Sequence, residues 1–235
     1  MDGTTVTSRS ILVTGANRGI GQALVEEALR RGADRVYAGA RRPFVHRDRR
    51  VTPLVLDVTD AAQIRAAVDR VEALDVLINN AGVALYDDLT DRGALEQSLA
   101  VNLFGPWAVT KAFLPLLARA RGAIVNNVSL MALAPLALTP SYAISKAAAF
   151  NLSQSLRALL AARGVGVHAV LTGPTDTDMT RGTGEAGMEG MRNASAQKRI
   201  ATVEEMVGPA LLLASDAGSF ITGEVLVADG GLCYH

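Results

Sequence analysis

A single cysteine, Cys233, stands among 235 residues. One thiol excludes an intramolecular disulfide and any metal cluster built on cysteines within one chain. That scarcity fits a reducing compartment, and a cytoplasmic location is expected. Net charge is absent as well: Lys+Arg and Asp+Glu number 23 each. The chain therefore offers no broad electrostatic surface to nucleic acid or to an anionic membrane, although a local basic pocket stays open. Long apolar runs are lacking too. The longest, Leu130 to Leu138, is interrupted by Pro135 and is too short to span a bilayer. Met1 to Ser10 is polar and has no apolar core of a secretory signal, so neither export nor insertion is expected. No linker rich in Pro, Ser or Gly, no repeat and no low-complexity tract interrupts the chain, and residues 1–235 read as one domain.

What is present is alternation. Short aliphatic or β-branched runs at Ile11 to Thr14, Arg35 to Gly39, Thr52 to Leu56, Leu74 to Ile78, Ala123 to Val128, Val165 to Leu171 and Glu224 to Val227 read as strands. Most are apolar on consecutive positions, as strands buried on both faces are. Helical patterns at Ile20 to Arg31, Ala61 to Ala73, Arg92 to Ala120, Tyr142 to Arg163 and Val203 to Ala214 separate them. Between the second and third runs only Arg41 to Val51 remain, too few for a full helix. The pattern predicts an α/β fold: a doubly wound, Rossmann-like parallel sheet with helices on both faces. Its ligand belongs beyond the strand C-termini at the switch point.

The first strand runs into Thr14-Gly15-Ala16-Asn17-Arg18-Gly19-Ile20-Gly21. Glycines let the backbone turn sharply and approach a pyrophosphate at the helix N-terminus, where unpaired N–H groups and the macrodipole favour an anion. Further along, Asn79-Asn80-Ala81-Gly82 follows the fourth strand, Asn102 lies in the long helix, and Ser129 ends the fifth strand. Tyr142-Ala143-Ile144-Ser145-Lys146 opens the next helix, and Asp229-Gly230-Gly231 closes the last strand. The Gly-x3-Gly-x-Gly spacing, these motifs and the 13 residues from Ser129 to Tyr142 together resemble the classical short-chain dehydrogenase/reductase family over nearly the whole chain. The resemblance implies seven parallel strands in the order 3-2-1-4-5-6-7, hydride transfer between a nicotinamide dinucleotide and a ketone, aldehyde or alcohol, and a homodimer or homotetramer. It implies Asn102, Ser129, Tyr142 and Lys146 as the catalytic set, Asn102 helping the lysine to position a proton-supplying water chain. It also makes Gly15, Asn17, Arg18, Gly19, Ile20, Gly21, Asn80, Ala81, Gly82, Tyr142 and Lys146 cofactor contacts, with Asp57 and Val58 at the adenine. The long helices Arg92 to Ala120 and Tyr142 to Arg163 are the candidate interface.

The residues support that chemistry in their own terms. Tyr142 and Lys146 are four apart and share a helix face, where an ammonium stabilises a phenolate. A tyrosine with a pKa near 10 needs such help to act as a base at neutral pH. Ser129 is then placed to hold the substrate oxygen. Cofactor choice belongs just after the second strand, where an acid would bind the adenosine 2′-hydroxyl. Ala40 and Arg41 stand there instead. Arginine pairs bidentately with phosphate, and Arg18 adds a second charge, so NADP(H) is expected over NAD(H).

One motif departs from the family pattern: after the sixth strand the chain reads Thr172-Gly173-Pro174-Thr175-Asp176-Thr177. Gly173, Thr175 and Thr177 are still expected at the nicotinamide end. Asp176 and Asp178 read as solvated carboxylates, and no metal is expected. The glycine- and methionine-bearing stretch from Met179 to Gln197 shows no clear periodicity and is expected as a mobile substrate lid. Ser129, Met131, Tyr142 and Met179 are the expected substrate contacts, with Val83 and Leu133 beside them. His168, in the sixth strand, reads as a packed core histidine. Two other readings of the chain exist. A catalytically silent NADP(H)-sensing regulatory protein of the same fold would carry a broken Ser-Tyr-Lys set, and an extended-branch epimerase would need a separate C-terminal substrate domain.

Overall fold

Seven strands assemble in a computed structural model that describes residues 5–233; Met1 to Thr4 of the polar N-terminal segment, Tyr234 and His235 lie outside the described residues. They are β1 (Ser10–Thr14), β2 (Arg35–Ala40), β3 (Val51–Val55), β4 (Val76–Asn79), β5 (Ala123–Asn127), β6 (Gly166–Thr172) and β7 (Val225–Ala228). All pair in parallel, in the order β3-β2-β1-β4-β5-β6-β7. The expected strands sit within one or two residues of these bounds.

Consecutive apolar residues in a strand point to opposite faces, and each face here has its own core. Ile11, Val13, Val36, Ala38, Val76, Ile78 and Val125 meet helices α1 (Gly19–Arg30) and α8 (Val203–Ala214) on one side. Leu12, Tyr37, Leu54, Leu77 and Ile124 meet α2 (Ala61–Asp69), α4 (Gly105–Ala120) and α5 (Pro140–Leu160) on the other. The sheet is sandwiched because both sets of side chains must leave water.

Three helical expectations need correction. The stretch Arg92 to Ala120 is not one regular α-helix: α3 (Arg92–Leu99) passes through a π-turn (Ala100–Phe104) into α4. Pro106 is the cause we identify, since it has no N–H for the Asn102 carbonyl four residues earlier and its ring crowds that carbonyl. Second, the segment expected as an aperiodic lid forms α6 (Asp178–Arg181) and α7 (Gly184–Ala194). Glycines 182, 184, 187 and 190 hide the period, while the Thr177 side chain caps α6 and Arg192 pairs with Glu185 and Glu189 along α7. Third, α5 begins at Pro140, with proline in its first turn where a missing N–H costs nothing. By length and hydropathy Arg92–Ala120 could cross a membrane. Within it, however, Val109, Phe113 and Leu117 are fully buried against the sheet.

Candidate active site

The C-terminal ends of the strands bring the motif residues together. Gly15 and Gly19 hold positive φ, 66° and 53°, a region glycine enters without penalty. A Cβ on Gly21 would collide with the Gly15 carbonyl, so the loop closes only with glycine there. Behind it, Thr14 Oγ1 accepts from the backbone N–H of Asn80 and of Ala81, both at 3.0 Å. Asn80 Nδ2 donates to the Thr14 carbonyl at 3.0 Å, and its Oδ1 accepts from Asn127 Nδ2 at 2.9 Å. Thr14 and Asn127 are therefore site-building residues that the motif reading did not single out.

The donor set at the glycine loop suits a dinucleotide phosphate. Helix α1 starts at Gly19 with no side-chain cap and no acid in its first turn, leaving its terminal N–H groups available to an anion. Arg41 is exposed immediately after β2, with no ion pair or hydrogen bond among the described residues. Arg18 is already engaged, 3.2 Å from Asp178 across the cleft. Thr177 lies over the loop as well, 3.5 Å from where a Gly19 Cβ would be. Asp57 is less available than expected: its Oδ1 accepts from the backbone and hydroxyl of Thr59. Val58 is buried against Gly105. Thr175 is buried too, its hydroxyl donating to the Gly173 carbonyl at 3.0 Å.

Tyr142 sits in the first turn of α5, with the Ser129 side chain near enough to its hydroxyl to favour the charged form. Ser129 Oγ in turn accepts from the Met131 N–H at 3.2 Å. One turn on, buried Lys146 donates from Nζ to the Asn127 carbonyl at 3.1 Å and lies 5.6 Å from the centre of the Tyr142 ring. Burial is the largest influence on both groups. It raises the Tyr142 pKa above its ordinary value, against a smaller lowering by Ser129, and holds Lys146 at about 8.

Asn102 occupies the π-turn with its side chain fully engaged. Oδ1 accepts from Val83 N–H, and Nδ2 donates to the Val83 carbonyl and to Ser145 Oγ, all at 2.9 Å. Any direct contact it makes with a water chain falls to its main-chain carbonyl, which Pro106 deprives of the usual helical donor. In the loop after β4 and the segment from Ser129 to α5, which lead to Tyr142 in sequence or by the Asp87–Leu138 backbone bond, Tyr86, Leu89, Leu133, Leu136 and Leu138 are exposed. Met131 is half-buried beside Ser129, whereas Met179 is exposed on α6. Residues 83–91 and 130–139 hold no basic side chain but carry Asp87, Asp88 and Asp91.

Residues 15–233 match the protein family described as Enoyl-(Acyl carrier protein) reductase. The chain is 32% identical over 234 residues to the 3-oxoacyl-(acyl-carrier-protein) reductase FabG of Salmonella typhimurium, covering 94% of this chain and 96% of that protein. Among solved structures, the gluconate 5-dehydrogenase of Burkholderia cenocepacia in complex with NADP and tartrate superposes with a TM-score of 0.89 at 28% identity, covering 98% of this chain and 97% of that one. The ligand-free aldohexose dehydrogenase of Thermoplasma acidophilum gives 0.89 at 28% identity, covering 96% and 94%.

Proposed function

The chain belongs to the classical short-chain dehydrogenase/reductase family and is an NAD(P)-dependent oxidoreductase, and on that premise we propose that it is an NADPH-dependent carbonyl reductase acting on neutral, largely apolar ketones or aldehydes. The observation that carries this reading is the gathering of Tyr142, Ser129 and Lys146, with Lys146 Nζ 5.6 Å from the centre of the Tyr142 ring, at the strand ends that also hold the uncapped α1 N-terminus. The dinucleotide, when bound, supplies the hydride. Gly15, Asn17, Gly19, Ile20 and Gly21 at α1, Asn80 to Gly82, Gly173, Thr175 and Thr177 would hold it, with Arg41 on the 2′-phosphate.

The chain's own contribution is a proton and its geometry. Ser129 Oγ holds the carbonyl oxygen of the substrate by hydrogen bond, and Tyr142 donates its hydroxyl proton to that oxygen as negative charge develops there. Lys146 Nζ passes on the replacement proton, taken up from a water that the main-chain carbonyl of Asn102 holds by accepting its hydrogen bond. The segments leading to Tyr142 suit that substrate class: their exposed large side chains are leucines and Tyr86, and residues 83–91 and 130–139 carry no cation to bind a sugar acid.

We further propose a single catalytic domain in the cytoplasm, assembled as a homodimer or homotetramer through the helical stretches Arg92 to Ala120 and Tyr142 to Arg163. Exposed Phe104, Trp107 and Leu159 support that face. Sedimentation at micromolar concentration reads the assembly, and one species near 24.6 kDa contradicts it. The central experiment is a panel of apolar ketones, aldehydes and sugar acids with NADPH, following absorbance loss, in wild type and Tyr142→Phe. The variant should lose about 10²- to 10⁴-fold in turnover with NADPH affinity unchanged. Activity within a few-fold of wild type rejects Tyr142 as the donor. Turnover of no carbonyl by a chain that binds NADPH favours the sensor reading.

A further inference from the structure

Three buried serines set the pose of α5. Ser141, Ser145 and Ser153 lie four and eight residues apart along one ridge, with buried Ala149 between the last two. Each bonds a different element. Ser153 Oγ accepts from Asn126 Nδ2 of β5 at 2.8 Å, and Ser145 Oγ accepts from Asn102 in the π-turn at 2.9 Å. Ser141, fully buried and adjacent to Tyr142, bonds Asp87 in the loop after β4. Its hydroxyl donates to Oδ1 at 2.9 Å and its N–H donates to Oδ2 at 3.3 Å.

The Asp87 contact does what the sequence at the helix start fails to do. The N-cap residue Thr139 makes no side-chain cap bond, and Pro140 has no N–H. The Ser141 N–H is therefore the first orphan donor of α5, and the carboxylate that satisfies it comes from 54 residues away. Asp87 Oδ1 also accepts from Leu89 N–H at 3.1 Å, holding a leucine whose φ is +66° and whose side chain is half exposed. Its own N–H reaches the Leu138 carbonyl at 3.4 Å. One residue, through its carboxylate and its own N–H, thus ties the loop after β4 to the segment before α5 and to the turn that carries Tyr142.

We propose that Asp87 is a positioning residue: by capping α5 from outside the helix it fixes the Tyr142 hydroxyl relative to Ser129 and fixes the shape of the substrate mouth. This rests on the reading of Tyr142 as the proton donor. Displacements near 1 Å in such geometry cost on the order of 10²-fold in rate, and loss of a cap loosens rather than unfolds a helix of 21 residues. Asp87→Ala should lower kcat about 10- to 100-fold and raise KM for the carbonyl substrate, while the dissociation constant for NADPH stays within two-fold. Asp87→Asn, which keeps an acceptor oxygen for Ser141, should recover most of kcat. Ser141→Ala, which removes only the hydroxyl bond, should show an intermediate loss that does not add to that of Asp87→Ala, and it serves where Asp87→Ala folds poorly. The proposal is overturned if Asp87→Ala keeps kcat, if NADPH affinity falls in parallel, or if Asp87→Asn is no better than alanine. Tyr142→Phe run beside them separates the two claims. An inactive Tyr142→Phe with a normal Asp87→Ala defeats only the positioning role, while an active Tyr142→Phe defeats the premise.

Discussion

Replacing Arg41 with alanine tests cofactor choice where the structure makes the arithmetic simplest. Arg41 is exposed at the end of β2 and has no partner among the described residues, so nothing must be broken before it pairs with a 2′-phosphate. A charge-assisted contact of that kind is worth about 1.5 to 3 kcal/mol, or on the order of 10- to 100-fold in affinity. Arg41→Ala should weaken NADPH by that factor and leave NADH within two-fold. Arg18 contributes less, because it must first leave Asp178. Both partners of that pair are 64% exposed, which limits the pair to about 1 kcal/mol, and Asp178→Asn should therefore tighten NADPH by no more than about five-fold. Ala40→Asp is the poorer reciprocal test, since Ala40 is 1% exposed and a carboxylate there brings its own desolvation cost. The assay is titration of both reduced cofactors by their fluorescence, repeated as salt rises, which should erode NADPH binding more than NADH binding. The reasoning fails if wild type binds NADH as tightly as NADPH, or if Arg41→Ala weakens both alike.

Two pH responses follow from burial. Lys146, cationic below its pKa of about 8 and neutral above it, should give reductive kcat/KM an alkaline limb centred near that value; a profile flat to pH 10 contradicts its part in the proton relay. His168 is buried with Nδ1 unpartnered, and its pKa is held down to about 4. The unfolded chain thus takes up that proton first, and stability falls by up to roughly 3 kcal/mol as pH drops from about 6.5 to 4. Thermal melts across that window should lose part of their acid slope in His168→Leu, and identical slopes rule the account out.

The sequence made legible whatever is enforced by local geometry. Gly21 is readable because any side chain there meets the Gly15 carbonyl, and Tyr142 and Lys146 are readable because four residues make one helical turn. Strand faces were equally plain, since Leu12 and Val13 each need their own layer of helices. What stayed hidden depends on contacts between distant segments. No periodicity reveals that Asp87 caps a helix starting at Pro140, that Asn127 braces Asn80, or that the Asn102 side chain is fully engaged with Val83 and Ser145. Helix α7 was hidden for a different reason: its glycines carry no hydropathic signal.

Those hidden contacts share a logic that bears on catalysis. Hydrophobic packing is indifferent to small rotations of a helix about its axis, whereas a proton donor must be held within a fraction of an ångström. Along α5 the ridge facing its neighbours is built of serine and alanine, small enough for close approach, and its three hydroxyls are each directed by another element. Deeper in, Asn79 Nδ2 donates to Asn126 Oδ1 at 2.8 Å and to Thr110 Oγ1 at 3.2 Å, joining β4, β5 and α4 to the same chain. A buried polar group costs free energy when its partner is displaced, so each bond penalises rotation or sliding of α5. The residues that hold Tyr142 in register with Ser129 therefore extend well beyond the motif, into the asparagines at the ends of β4 and β5 and the aspartate of the loop between β4 and α3.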